Sequence, residues 1–275
     1  MKDFNDQIIF ITGGASGLGL ETARQLAARG AHIAIFNRGE KAAEEAVENI
    51  LGARRDAQQR VISRLADVAN REQLKAAFSE AARLLGNPHL VIHMAGIGGL
   101  APMQQMNLAT FDAIIQTNLY GTRHVVEAAL ELLRGRRGQI VLTGSLGGLI
   151  PVYGYTAYGA SKFAVVGFAQ CLRYELKPRG IDVLSFCPGE VMTPALAAER
   201  ATTHPAARAL KYIGGTMNCK DAVRGLIAGI TRNKAMIIPG WRSKTVYWAA
   251  RLTPLPLWNL VTDAIVAIAL RRARR

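Results

Sequence analysis

Metal and disulfide chemistry are what this sequence is short of. Its three cysteines, Cys171, Cys187 and Cys219, are odd in number and form no CxxC pair, which supports neither a disulfide framework nor a zinc site. They are expected to be reduced and mostly buried. Five histidines, His32, His89, His93, His124 and His204, include no pair at metal-ligand helical spacing, so no metal is expected. No internal repeat or low-complexity tract is visible, and nothing in the composition suggests disorder. The first strand-like run, QIIFIT, begins at Gln7, which leaves no room for a secretory signal and predicts a body that folds in the cytoplasm. Acidic residues are few: 20 against 34 Lys and Arg, a net charge of +14. That imbalance invites an anionic partner, either nucleic acid or an acidic membrane surface.

What is present is a chain of 275 residues, half of them hydrophobic, long enough for one large core with an appendage. Short apolar runs alternate with helical patterns. IIFIT precedes a helix from about Gly17, AHIAIF one from about Glu40, and VISRL one over Asn70 to Leu85, where Asn70 and Gln73 read as a capping box. HLVIH, a helix from about Thr110 to Leu133, QIVLTGS, a helix carrying YTAYGASKF, IDVLSF, a helix near Lys220 to Ile230 and AMIIP follow. Repeated strand–helix alternation predicts an α/β fold, a doubly wound parallel sheet of about seven strands with helices on both faces. Ligands of such sheets bind at the carboxyl ends of the strands, where the strand order reverses.

A glycine-rich turn, Thr12 to Gly19, joins the first strand to the first helix. Gly13, Gly17 and Gly19 permit a tight turn and close approach of backbone to a pyrophosphate at a helix N-terminus. At the end of the second strand the chain reads Phe36-Asn37-Arg38, with no acidic residue to grip a ribose hydroxyl. Arg38 suits a 2′-phosphate, which favours NADP(H) over NAD(H). Asp67, after the third strand, is placed to touch an adenine amino group, or else only forms a turn.

Tyr158 and Lys162 stand at i and i+4, neighbours on one helical turn. A phenol titrates near ~10, and a nearby ammonium favours its ionised form. Ser145 ends the strand QIVLTGS, where its hydroxyl can hydrogen-bond a carbonyl oxygen as charge develops on it. Asn118 lies inside a long helix facing the same end of the sheet, an unfavourable place for Asn unless it has a role.

The TGxxxGxG loop, Asn118, Ser145, the YxxxK at Tyr158 to Lys162, and Pro188-Gly189 followed by Thr193 resemble, in order and spacing, the short-chain dehydrogenase/reductase family. The resemblance covers about residues 5 to 238. It implies Tyr158 as general acid or base, Lys162 as its pKa-lowering partner and ribose ligand, Ser145 as carbonyl orienter and Asn118 as holder of a relay water. It further implies a cofactor lined by Gly13, Ala15, Ser16, Gly17, Leu18, Gly19, Asn37, Arg38, Asp67, Val68, Ala95, Gly96, Tyr158, Lys162, Pro188, Gly189, Val191 and Thr193, the last meeting the carboxamide. One departure is visible: the family usually has Asn-Asn-Ala-Gly where this chain has His93-Met94-Ala95-Gly96. A homodimer or homotetramer through the long helices is also implied.

The expected division is a catalytic domain over 1–238, with a lid at about 189–217, and a C-terminal extension over 239–275. The lid segment reads as neither a clean strand nor a long helix, and its Ala, Leu and Tyr content suggests an apolar ligand. Trp258 to Leu270 is apolar nearly all round but short of the ~20 residues that span a bilayer. With Trp241, Trp248, Tyr247 and the Arg271 to Arg275 cluster it suits an interfacial anchor on an anionic membrane, or else a subunit contact. Nucleic acid would account for the charge and leave the tryptophans unexplained. Together with the stretch GFAQCLRYELKPRGIDVLSFCPGEVMTPALAAE, the extension resembles 3-ketodihydrosphingosine reductases and related lipid-acting reductases. The implied activity is NADPH-dependent reduction of a hydrophobic ketone. Its alternatives are oxidation of a steroid, retinoid or other apolar alcohol, and a nucleotide-binding, membrane-docked scaffold.

Overall fold

The computed structural model describes residues 4–273. Each apolar run becomes a strand: β1 (Ile8–Thr12), β2 (His32–Asn37), β3 (Val61–Leu65), β4 (Leu90–His93), β5 (Gly138–Thr143) and β6 (Ile181–Phe186). The helices α1 (Gly17–Ala27), α2 (Glu40–Leu51), α3 (Arg71–Leu85), α4 (Leu108–Ile115), α5 (Gly121–Leu132) and α6 (Thr156–Leu176) alternate with them. Next come β7 (Glu190–Met192), α7 (Pro194–Thr202), α8 (Pro205–Gly214), β8 (Thr216–Asn218), α9 (Cys219–Thr231), β9 (Met236–Ile237), α10 (Trp241–Leu252) and α11 (Leu255–Ala273).

Seven parallel strands form one sheet in the order β3-β2-β1-β4-β5-β6-β9. Side chains alternate across it. Phe10 points to the face covered by α3, α5 and α6, where its ring meets Phe36 and Phe78 at centroid distances of 5.2 and 5.4 Å. Ile9 and Ile11 point to the opposite face, covered by α1 and α9. With both faces covered, the central strands are hydrophobic along their whole length. The chain winds outward from β1 to β3, then returns to place β4 on the other side of β1. That reversal opens a crevice at the carboxyl ends of β1 and β4.

Several local expectations need correction. Asn70 caps α3 by accepting from the Gln73 N–H, but Gln73 Oε1 accepts from the Asp67 N–H and not from Asn70. The Asn70 N–H is already bonded to the Asp67 carbonyl, so the reciprocal half of the box has no donor to serve. The long helix opens earlier, at Leu108 under an Asn107 cap, and is interrupted by a π turn over Gln116–Tyr120. Cys187 is buried, but Cys171 is exposed because it falls on the outer side of α6. The 189–217 segment is regular: β7 and β8 pair in parallel and carry α7 and α8 between them. Each of these helices opens with a proline after a capping residue, Thr193 or His204.

The C-terminal extension is helical, and α11 packs on α8. No helix among the described residues is long and apolar enough to cross a membrane. Of the expected arginine cluster, Arg274 and Arg275 lie outside the described residues.

Candidate active site

The carboxyl ends of β1, β4, β5 and β6 bring the residues singled out in the sequence to one crevice. In the glycine loop, Gly13 has φ +68°, and a Cβ there would lie 2.7 Å from the Ala95 N. Glycine is therefore required by both backbone conformation and space. A Cβ at Gly19 would run into the Gly13 carbonyl oxygen. Ser16 is the N-cap of α1 and makes no side-chain cap bond, so the helix opens onto the crevice with N–H groups available to an anion. Gly17 and Leu18 form the first turn of α1, and Thr193, at the end of β7, stands beside Gly17.

Asn37 Oδ1 accepts the Ala15 N–H at 2.8 Å, tying the end of β2 to the glycine loop. Its Nδ2 is buried without a partner. Arg38 is largely exposed, and its guanidinium stands 3.9 Å from the Asp67 carboxylate. Asp67 Oδ1 also accepts the Ala69 N–H at 2.9 Å, and the Val68 carbonyl bonds His124.

At the end of β4 the departure from the family pattern has a structural answer. His93 is buried, with Nδ1 2.7 Å from Thr12 Oγ1, and Thr12 Oγ1 accepts the Ala95 N–H at 3.4 Å. Burial, followed by the nearby Lys162 charge, holds the imidazole down to about 3. The native state therefore binds fewer protons than the unfolded chain once the pH drops below the ordinary value of 6.5. Stability is lost as pH falls from there toward 3, by about 1.4 kcal/mol per pH unit. His93→Asn is expected to remove this slope, read as a urea-midpoint difference from wild type that grows below about pH 6.5.

Asn118 lies in the π turn and is buried. Its Oδ1 accepts the Ile97 N–H, and its Nδ2 donates to the Ile97 carbonyl and to Ser161 Oγ. The side chain thus clamps the chain leaving β4. A Cβ on Gly96 would sit 3.1 Å from Asn118 Oδ1 and 3.5 Å from Lys162 Nζ, so the bare backbone there separates the two.

Lys162 is buried and donates to the Thr143 carbonyl at 2.9 Å, its Nζ 5.7 Å from the Tyr158 ring centre. Burial lowers its pKa to about 8. Burial raises the Tyr158 phenol from its ordinary value, opposed by its hydrogen bond with Ser145. Desolvation of the phenolate is the largest cause, and the Glu199 charge adds to it. Ser145 Oγ accepts the Gly147 N–H at 3.1 Å. Beside it, Leu146 donates to the Pro188 carbonyl, fixing the Pro188-Gly189 turn that leads to the buried Val191.

These groups face a cavity of about 790 Å³. Its other polar walls escaped sequence reasoning. Tyr155 donates to Glu199 Oε1 at 2.8 Å, and Lys211 reaches Glu199 and Glu190 at 2.5 and 2.7 Å. These bonds join the start of α6 to α7 and α8. The only signal in the sequence is Tyr155 three residues before Tyr158, on the same helical face. Among the described residues, no group of three or more His, Cys, Asp or Glu could hold a metal ion.

Residues 7–204 match the family model described as short chain dehydrogenase. The chain belongs to the short-chain dehydrogenase family. This short-chain dehydrogenase is thus an oxidoreductase of a family that uses a nicotinamide cofactor. It is 32% identical over 193 residues to a levodione reductase from Leifsonia aquatica, covering 70% of this chain and 72% of that one. To the mouse 3-ketodihydrosphingosine reductase it is 29% identical, over 70% of this chain and 59% of the other. A solved levodione reductase structure covers 87% of this chain and 98% of its own at 24% identity with a TM-score of 0.78, which supports the fold.

The residues present suit a dinucleotide. The open end of α1, the orphaned Asn37 Nδ2 and the partnerless Thr143 Oγ1 lie along one crevice, and buried polar atoms without partners call for a ligand.

Proposed function

We propose that this dehydrogenase reduces the ketone of an apolar, lipid-like molecule with NADPH, Tyr158 delivering the proton. The cavity carries this reading: it is walled mainly by apolar side chains, with the Tyr158 phenol and Ser145 hydroxyl along its wall. A 3-ketosphinganine-type molecule is the first candidate, in keeping with the names of two relatives.

The reduced nicotinamide, when bound, supplies the hydride. Ser145 Oγ accepts from Gly147, and its own proton, which serves the Tyr158 oxygen in the protein alone, turns to the substrate oxygen. With its pKa raised by burial, Tyr158 is a phenol at neutral pH, the form that donates a proton. Lys162 lies close enough to stabilise the phenolate left behind. Asn118, by holding Ile97 and facing Lys162 across Gly96, shapes the path by which that phenolate is reprotonated. The decisive assay is NADPH oxidation with detergent-presented 3-ketosphinganine, short 3-keto esters and a steroid ketone. Turnover of none of them would overturn the reading.

Arg38 is assigned the 2′-phosphate. Arg38→Ala is expected to raise the KM for NADPH about tenfold, the worth of a charged hydrogen bond, and to leave that for NADH unchanged. Equal effects on both cofactors would refute the assignment.

We further propose that the enzyme docks on an anionic membrane surface. The outer face of α11 exposes Leu255, Leu260 and Ile268, and α10 exposes Trp241, Trp248 and Leu252. Arg242, Lys244, Arg251, Arg271 and Arg272 are also exposed on these helices, an arrangement that favours anionic headgroups. Leu260→Glu with Ile268→Glu is expected to abolish flotation with anionic vesicles while sparing turnover of a water-soluble ketone. Unchanged flotation would remove the membrane from the proposal. Two copies are expected to meet through α5 and α6, where Phe163 and Tyr174 are exposed.

A further inference from the structure

The helix whose outer face is assigned to lipid has a different inner face. On α11, Trp258, Thr262, Ile265 and Ala269 recur at i, i+4, i+7 and i+11, one stripe of a helix. They are partly or fully buried, whereas Leu255, Leu257, Leu260 and Ile268 on the same helix are exposed. The stripe is turned toward α8 and the cavity: Trp258, Thr262 and Ile265 line the space that Tyr158 and Ser145 also line. From α10, Val246 and Ala249 line it as well. The family match ends at residue 204, so nothing in the family model describes this wall.

We infer that α10 and α11 form the chain-measuring wall of the substrate cavity, and that Trp258, Thr262 and Ile265 set how long an apolar chain is accepted beside Tyr158. The inference rests on the proposed ketone reductase reading and names the part of the protein that selects its substrate. The physical basis is the geometry of the cavity. One end holds the groups suited to a carbonyl, and the walls supplied by α10 and α11 offer apolar atoms and a few hydroxyls, while the Lys211 ammonium of α8 is neutralised by Glu190 and Glu199. An apolar chain placed there leaves water for carbon contacts, and each buried methylene improves binding by about fourfold. The gain must end where the α11 side chains end the space. Trp258 is the largest of these and Thr262 one of the smallest. Enlarging Thr262 and truncating Trp258 therefore act in opposite directions.

The test compares wild type, Thr262→Phe and Trp258→Ala on linear ketones of increasing length in detergent. Binding of a fluorescent alkyl probe of matched lengths is measured alongside, because it reads the wall without turnover. In wild type, kcat/KM is expected to climb about fourfold per methylene and then level. Thr262→Phe should level at shorter chains and Trp258→Ala at longer ones. If the levelling point is the same in all three proteins, by turnover and by probe binding, the wall does not measure the chain. Probe binding that shifts with the variants, in an enzyme that reduces no ketone, would uphold the wall and overturn the reductase reading instead.

Discussion

Tyr158→Phe is expected to lower kcat about a thousandfold, within the range contributed by a positioned general acid, while the affinity for NADPH changes by less than about twofold. The phenol is partly buried, hydrogen-bonded to Ser145, and raised in pKa by desolvation. In the proposed mechanism it donates its proton, and Phe keeps the ring that packs 4.9 Å from Tyr155 and removes only the hydroxyl. Stopped-flow hydride transfer and fluorescence titration of NADPH separate the two quantities. Loss of both together would mean that the variant had misfolded or that the hydroxyl holds the cofactor, and unchanged turnover would remove Tyr158 from the mechanism.

Lys162→Met is expected to cost turnover at least about a hundredfold and yet not to lower the melting temperature of the cofactor-free protein. The ammonium is buried and its pKa is reduced from 10.5 to about 8, so keeping it charged costs roughly 3 kcal/mol at neutral pH. Against this stands one hydrogen bond to the Thr143 carbonyl, worth about 1 kcal/mol and somewhat more if the oxygen is left bare. The sign follows from proton binding. The cost is fully present below pH 8, and it is relieved as pH rises from there toward 10.5, where the native state has lost the proton and the unfolded chain has not. Wild type should gain stability over that window, and Lys162→Met should show no such gain. A destabilised variant with the wild-type pH profile would show that the charge is not buried at a cost.

His93 and Lys162 are both buried at the crevice and both shifted toward their neutral forms, and titratable groups perturbed in this way concentrate at functional sites.

Much of the site was legible because its signals are local. Tyr158 and Lys162 are one helical turn apart, the glycine loop lies between a strand and the helix it opens, and Ser145 follows the last residues of a strand. Each placement depends on a few neighbouring residues and on the rule that the carboxyl ends of parallel strands share one edge. The order of apolar runs and helical patterns likewise determined the doubly wound sheet, since parallel neighbours need a crossover of that kind.

What only the tertiary structure decided depends on residues distant in sequence. The direction of the Tyr158 shift is set by how much water the surrounding chain removes, which no YxxxK spacing reports. Asn118 occupies a π turn because its side chain bonds Ile97 and Ser161, twenty-one and forty-three positions away. Thr12 shows why His93 can stand where the family has Asn, since the bond between them crosses from β4 to β1. The two faces of α11 were indistinct in a run that is apolar all round. Its packing on α8 turned one of them toward the cavity that Tyr158 and Ser145 line and left the other exposed, because burial is a property of what lies opposite a side chain.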